Sequence, residues 1–174
     1  LLFLFAGLNY VGRFLLDQCG GDDEGAFWLL AAALTRFDIA ALYAPGMKKV
    51  RLAYFQLERL LASHLPQVFA HLQKLEISVD LFATSWFITL FTDGALLPPR
   101  GLTSLWDALW ICDGLPQEQW ALCFRVILWG LQLSSAQLLQ SRDFETCLHC
   151  LHHLDTQKVW EPAGQELKQL LLRS

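Results

Sequence analysis

The chain has 174 residues, 54% apolar and 17% charged, with thirteen basic against seventeen acidic side chains and a net charge of −4. That balance excludes a disordered chain, which needs low hydrophobicity and high net charge. Eleven glycines without a three-residue period exclude a collagen-like one. A mildly acidic chain also lacks the positive footprint of a protein that grips nucleic-acid phosphates, so no nucleic-acid partner is expected.

In chain order, almost every segment reads as helix. Leu1 to Cys19 is apolar nearly all round, the pattern of a buried central helix. Gly20 and Gly21 stop it, and Asp22 or Asp23 caps the next helix, Gly25 to Thr35, again almost wholly apolar. Tyr43, Pro45 and Gly46 make a turn. Met47, Val50, Tyr54, Leu57 and Leu61 then repeat at helical spacing, with Lys48, Lys49, Arg51, Glu58 and Arg59 largely on the other faces. Pro66 opens a short helix to Lys74. Ser78 caps a helix running to Phe91.

A loop follows at Asp93, Gly94, Pro98, Pro99 and Gly101. Leu102 to Cys112 is helical and ends near Gly114; Pro116 starts a helix reaching about Leu133. Ser134 or Ser135 caps a short piece, and Asp143 begins a helix with Phe144, Cys147, Leu148 and Leu151 on one face. Glu161 to Arg173 forms the last helix. Period-two alternation is never sustained, and no repeat or linker stands out. The expected fold is all-α, a single irregular domain of about ten helices.

No transmembrane span is expected. The uncharged run Leu1 to Gly12 is interrupted by Arg13 and Asp17, and the run Val126 to Ser141 contains Gln132, Ser134, Ser135, Gln137 and Gln140. Leu1 to Gly12 also lacks the basic segment and cleavage site of a signal peptide. A chain that opens on Leu within an already apolar helix reads as a domain cut upstream. Five cysteines, an odd number mostly on apolar faces, point to reduced thiols and a cytoplasmic setting.

No self-contained catalytic or metal site emerges from the residues. Cys147, Cys150 and the histidines His149, His152 and His153 are close in sequence, but Cys147 lies on the core stripe and no second cysteine pair exists, so no metal is expected. Gly20-Gly21-Asp22-Asp23-Glu24-Gly25 has acids where a phosphate cradle needs donors. Ser63 and His64 lack an acid nearby and a nucleophile elbow. Trp86, Trp106, Trp120 and Trp129 sit in apolar helices and read as core.

An ordered series of segments carries more. It runs from Phe27-Trp28-Leu29-Leu30 and Leu42-Tyr43-Ala44-Pro45-Gly46-Met47 to His64-Leu65-Pro66 with His71-Leu72. It continues through Trp86-Phe87-Ile88-Thr89-Leu90-Phe91, Leu105-Trp106-Asp107 and Asp113-Gly114. In that order and spacing these stretches resemble the TBC domain, the Rab GTPase-activating module, over roughly residues 4 to 155. The resemblance implies a TBC-type helical domain, with residues 1–174 covering its C-terminal two-thirds or so. The motif residues Trp86, Thr89, Phe91, Trp106 and Asp107 then report fold, with Asp107 placed to accept backbone or indole donors.

The resemblance also implies a GTP-state Rab as partner, other proteins as further partners, no cofactor, and a role as GTPase activator in vesicle trafficking, with recruitment to endomembranes. Such an activator has no substrate of its own. It supplies an arginine that neutralises developing phosphoryl charge and a glutamine that orients water; an arginine finger is worth about 10³–10⁵ in rate. The arginine motif belongs upstream of the present sequence. The glutamine motif, Tyr-x-Gln-Gly-Met-Asn in the family, aligns with Leu4-Phe5-Ala6-Gly7-Leu8-Asn9. Gly7 and Asn9 match, but Ala6 stands at the glutamine position and its methyl cannot bind water. Arg13, about two turns along, reads as a surface or paired arginine and not as a substitute finger. The expectation is therefore a GTPase-facing remnant, Ala6, Gly7 and Asn9, with catalysis impaired; the rival is a degenerate scaffold that binds other proteins and no GTPase.

Overall fold

The computed structural model describes residues 3–112 and 116–154. Among them lie nine α-helices, one 3₁₀ turn and no strand. They are α1 (Phe3–Gln18), α2 (Asp23–Arg36), the 3₁₀ turn (Ile39–Tyr43), α3 (Lys48–His64) and α4 (Pro66–Lys74). There follow α5 (Val79–Ile88), α6 (Pro99–Ile111), α7 (Pro116–Leu133), α8 (Ser135–Gln140) and α9 (Phe144–His152). The all-α expectation holds. The expected last helix, Glu161 to Arg173, and the Asp113-Gly114 pair lie outside the described residues.

The central helix is α5, not α1. Phe82, Ala83, Trp86 and Phe87 of α5 are buried, and the helix touches α1, the 3₁₀ turn, α3 and α9. Helix α1 packs on α2 and α5, burying Val11 and Leu15 and leaving Tyr10 47% exposed. Apolar composition all round a helix therefore overstated its burial. The same holds for α2: it buries Ala26 and Ala33 and exposes Phe27 (60%) and Trp28 (63%). On α9, Cys147 and Leu151 are buried, but Phe144, expected on that face, is 41% exposed.

The ends of α1, α4 and α5 share one geometry. After α1, the Gly21 amide donates to Leu16 at 3.0 Å and the Gly20 amide to Asp17 at 3.3 Å, with Gly20 left-handed at φ 62°. This pair of bonds closes a helix when the residue after the last turn turns left-handed, a place glycine takes without steric cost. After α5 the same bonds run from Phe91 to Trp86 (3.0 Å) and from Leu90 to Phe87 (3.3 Å), with Leu90 at φ 47°. So α5 stops at Ile88, three residues before the expected Phe91, although no glycine marks the stop. Phe91 itself stands at φ 66°, and Phe91 and Trp86 are both fully buried. Burial of apolar residues at these two positions commonly accompanies the motif.

The end of α4 repeats it: Ile77 donates to Leu72 at 2.9 Å and Glu76 to Gln73 at 3.1 Å, with exposed Glu76 at φ 58°. A left-handed non-glycine residue costs about 1–2 kcal/mol, and glycine returns part of that as unfolded-chain entropy. Glu76→Gly is therefore expected to stabilise the domain by about 0.5–1 kcal/mol. A higher urea midpoint at unchanged slope is the readout.

At the other ends, Asp143 caps α9: its carboxylate accepts the Thr146 amide at 2.8 Å and the Thr146 hydroxyl at 3.0 Å. These bonds hold the Asp143 carboxyl below its ordinary value. Asp22 and Ser78 occupy the cap positions of α2 and α5, but neither side chain accepts a capping bond. All five cysteines are free; Cys123, Cys147 and Cys150 are buried. Burial pushes the Cys123 thiol up to about 12.

Candidate functional site

The motif residues converge on the seat of α1. Gly7 is buried where α1 crosses the C-terminal end of α5. A Cβ there would sit 2.9 Å from the Ile88 carbonyl carbon, closer still to its oxygen, and 3.0 Å from the Tyr43 hydroxyl. Only glycine lets the helix come this near. The Tyr43 hydroxyl donates to that same Ile88 carbonyl, and burial pushes its pKa up to about 12, so it stays a neutral donor near pH 7. Three segments distant in sequence thus meet at one carbonyl: the Gly7 helix, the turn carrying Tyr43, and the end of α5. Sequence reading assigned Tyr43 to a turn and missed this bond; a tyrosine just before Pro45-Gly46 is its only sequence signal.

Position 6 is one residue before this seat, in the first turn of α1. Helical register sets it three and four residues from Asn9 and Tyr10, and both of those side chains are exposed. One face of α1 is thus locked by Gly7, Val11 and Leu15, while Asn9 and Tyr10 face solvent. Arg13 lies further along and its guanidinium holds Asp17 at 3.0 Å on the surface, a helical i,i+4 pair. A guanidinium so engaged, two turns from position 6, agrees with the reading of a surface pair.

The other motif residues build the frame. Trp86 is fully buried edge-on to Phe82, with ring centres 5.3 Å apart. Thr89 is buried and its hydroxyl donates to the Ser85 carbonyl at 2.7 Å, tying down the last turn of α5. Trp106 packs against Phe14 of α1 (5.1 Å) and Phe37 (5.9 Å), which couples α6 to α1. Asp107 departs from expectation. It is exposed, it accepts no hydrogen bond among the described residues, and the buried Trp106 indole nitrogen has no partner. Helical register turns it away from the core that receives Trp106.

No three His, Cys, Asp or Glu side chains converge on one point among the described residues. His149 and His153 lie exposed on α9 and beside it, ring centres 4.6 Å apart, while Cys147 and Cys150 face the core. No helix among the described residues is long and apolar enough to cross a membrane.

The architecture is that of an all-helical domain whose motif residues seat α1 on the end of α5 and leave Asn9 and Tyr10 exposed. The profile of the Rab-GTPase-TBC domain matches residues 5–157, nearly the whole described chain. The chain belongs to that family. Its relatives include the human Ecotropic viral integration site 5 protein homolog, 30% identical over 134 residues, which is 77% of this chain and 15% of that protein. The Rab GTPase-activating protein eat-17 of Caenorhabditis elegans is 34% identical over 82 residues, 47% of this chain and 9% of that protein. Growth hormone-regulated TBC protein 1 of Xenopus laevis is 29% identical over 138 residues, 79% of this chain and 37% of that protein. The chain therefore spans only a fraction of the length of the relatives it matches.

Proposed function

We propose that this domain binds a Rab GTPase in its GTP state through the α1 face around Ala6, Gly7 and Asn9, and that these 174 residues accelerate hydrolysis little or not at all. What supports the proposal is the resemblance of Leu4 to Asn9 to the family's glutamine motif, in a chain that belongs to that family. Gly7 and Asn9 match that motif, and Gly7 has a physical reason to be glycine, while Ala6 stands at the glutamine position. A rigid helix with the recognition residues and without the reactive one suits binding better than catalysis. Such a domain acts as a vesicle-trafficking regulator in the cytoplasm, recruited to endomembranes by its Rab and needing no cofactor.

Restoring the glutamine tests the catalytic half. Ala6→Gln is expected to leave Rab GTP hydrolysis within about tenfold of the unaltered chain, because no arginine finger, worth about 10³–10⁵, accompanies it. Single-turnover phosphate release is the readout. Strong stimulation by Ala6→Gln alone would show that a residue within these 174 supplies the arginine's role.

A second reading, a scaffold that binds other proteins and no GTPase, is favoured by one observation. A largely apolar trough runs between α3 and α7, whereas the motif helix α1 packs on α2 and α5. Absence of binding to any Rab by a folded chain would favour it.

A further inference from the structure

Two cavities, of about 500 and 430 Å³, lie between α3 and α7 and share Ala121 and Phe124 in their walls. Together they form one trough. One end is marked by Lys48 and Lys49, the other by His64 and Gln132. Following the 17 residues of α3, the trough is roughly 25 Å long. Its walls are mainly apolar: Leu52, Trp120, Phe124, Leu128 and Trp129 all line it. Leu52 is 54% exposed and Ala121 is exposed, so the trough is open to solvent at both.

Its charge is the reverse of the molecule's. The chain carries −4, yet the charged residues lining the trough are Asp38, Lys48, Lys49 and Arg125, besides His64. Asp38 is already neutralised by Lys49, whose ammonium also lies 4.9 Å from the centre of the Trp120 ring. Lys48 and Arg125 remain, and neither forms an ion pair among the described residues. One stands at the α3 entrance and the other midway along α7. A straight apolar trough between two helices, rimmed by uncommitted cations, has the shape and charge that receive an amphipathic helix with acidic flanks. A flat lipid surface would leave the concave floor unfilled.

We propose that the α3–α7 trough is a docking site for an acidic amphipathic helix of a partner protein. The site is separate from the α1 face and stands whether or not a Rab binds there. Three or four apolar side chains on one helix face would fill the floor between Leu52 and Trp129, and carboxylates on either side would meet Lys48 and Arg125.

The test uses the whole chain and a blocked helical peptide of roughly 18 residues, matched to the trough at 1.5 Å per residue. The peptide carries leucines at i, i+3, i+7 and i+10 and glutamates on the flanking positions; a twin carries lysines in place of the glutamates. Saturable binding of the acidic peptide, at least tenfold tighter than its lysine twin and weakened by salt, is the expected result. Ala121→Glu, an exposed change that narrows the trough and adds repulsion, is expected to weaken binding about tenfold with the helical circular dichroism and melting temperature unchanged. Arg125→Gln is expected to reduce the preference for the acidic peptide without abolishing binding. Equal binding of the two peptides, or binding indifferent to Ala121→Glu, would overturn the proposal. So would self-association of the chain that Ala121→Glu abolishes, because the occupant would then be a second copy. Binding to phosphatidylserine vesicles in place of the peptide would overturn it too. None of these readouts involves a GTPase, so failure here and failure of the Rab reading are distinguishable.

Discussion

Gly7→Ala is expected to destabilise the domain by about 2 kcal/mol or more, while Gly12→Ala, in the same helix, stabilises it by up to about 1 kcal/mol. Both changes gain the same helix propensity, because glycine is about 1 kcal/mol worse than alanine in a helix interior. They differ in what the new methyl meets. At Gly12 a Cβ finds nothing within 4 Å. At Gly7 it collides with the Ile88 carbonyl and the Tyr43 hydroxyl, and the carbonyl is backbone at the end of the central helix, which has little room to shift. Overpacking commonly costs about 1–3 kcal/mol and more against a rigid neighbour, so it outweighs the propensity gain. Urea midpoints of the two variants check this, and opposite signs are the expected result. The consequence reaches function: pushing α1 off its seat moves position 6 and Asn9 together, so Gly7→Ala is also expected to weaken any partner that reads this face.

Trp86→Ala is expected to cost about 3–5 kcal/mol, the range for emptying a large aromatic site in a core. Against a total stability of about 5–15 kcal/mol, that leaves a marginal domain. Trp86 is fully buried, packs edge-on to Phe82, and accepts the Phe91 amide on its carbonyl, so the cavity would open where the left-handed turn is held down. Trp86→Phe is expected to cost less than half as much. The buried indole nitrogen of Trp86 has no partner, so phenylalanine forfeits volume but no hydrogen bond. Equal losses for the two variants would show that the indole N–H is engaged after all. Chemical denaturation followed by far-UV circular dichroism separates the cases.

The fold was legible where the residue itself carries the signal. Gly20 and Gly21 announce the end of α1 because the left-handed turn there suits glycine, and Pro66 and Pro116 begin α4 and α7. It was illegible where tertiary packing imposes a conformation the residue does not favour. Leu90 and Glu76 end their helices left-handed, with the Phe91 amide bonded back to Trp86 and the Ile77 amide to Leu72 and all four of those side chains buried, an arrangement that no local pattern displays. The 3₁₀ turn Ile39–Tyr43 was hidden for a related reason: a short apolar run without glycine or proline inside it has no distinguishing period. Burial was misjudged for α1 and α2 because composition says that a helix is apolar, not how many neighbours it has; Phe27 and Trp28 are exposed all the same.

The candidate site divides in the same way. Ala6, Gly7 and Asn9 were picked out through the resemblance to the TBC family and not from chemistry, since none of them titrates. The structure adds the reason for Gly7, a backbone carbonyl 81 residues further along the chain, which no reading of the local sequence supplies. Asp107 was expected to accept a hydrogen bond and instead faces outward, because the helical step from Trp106 carries it off the core. The α3–α7 trough had no sequence signature, since its lining alternates between two helices more than fifty residues apart.

The central claim is that the α1 face retains Rab recognition while Ala6 removes catalysis. The most direct measurement is equilibrium binding of this chain to a panel of Rab proteins, each loaded in turn with GDP and with a non-hydrolysable GTP analogue, with circular dichroism confirming that the chain is folded. The account predicts binding to one or a few Rabs in the GTP-like state only, lost on Asn9→Arg, with hydrolysis on those Rabs close to the intrinsic rate. Binding to no Rab by a folded chain, or binding indifferent to the nucleotide and to Asn9→Arg, would contradict it.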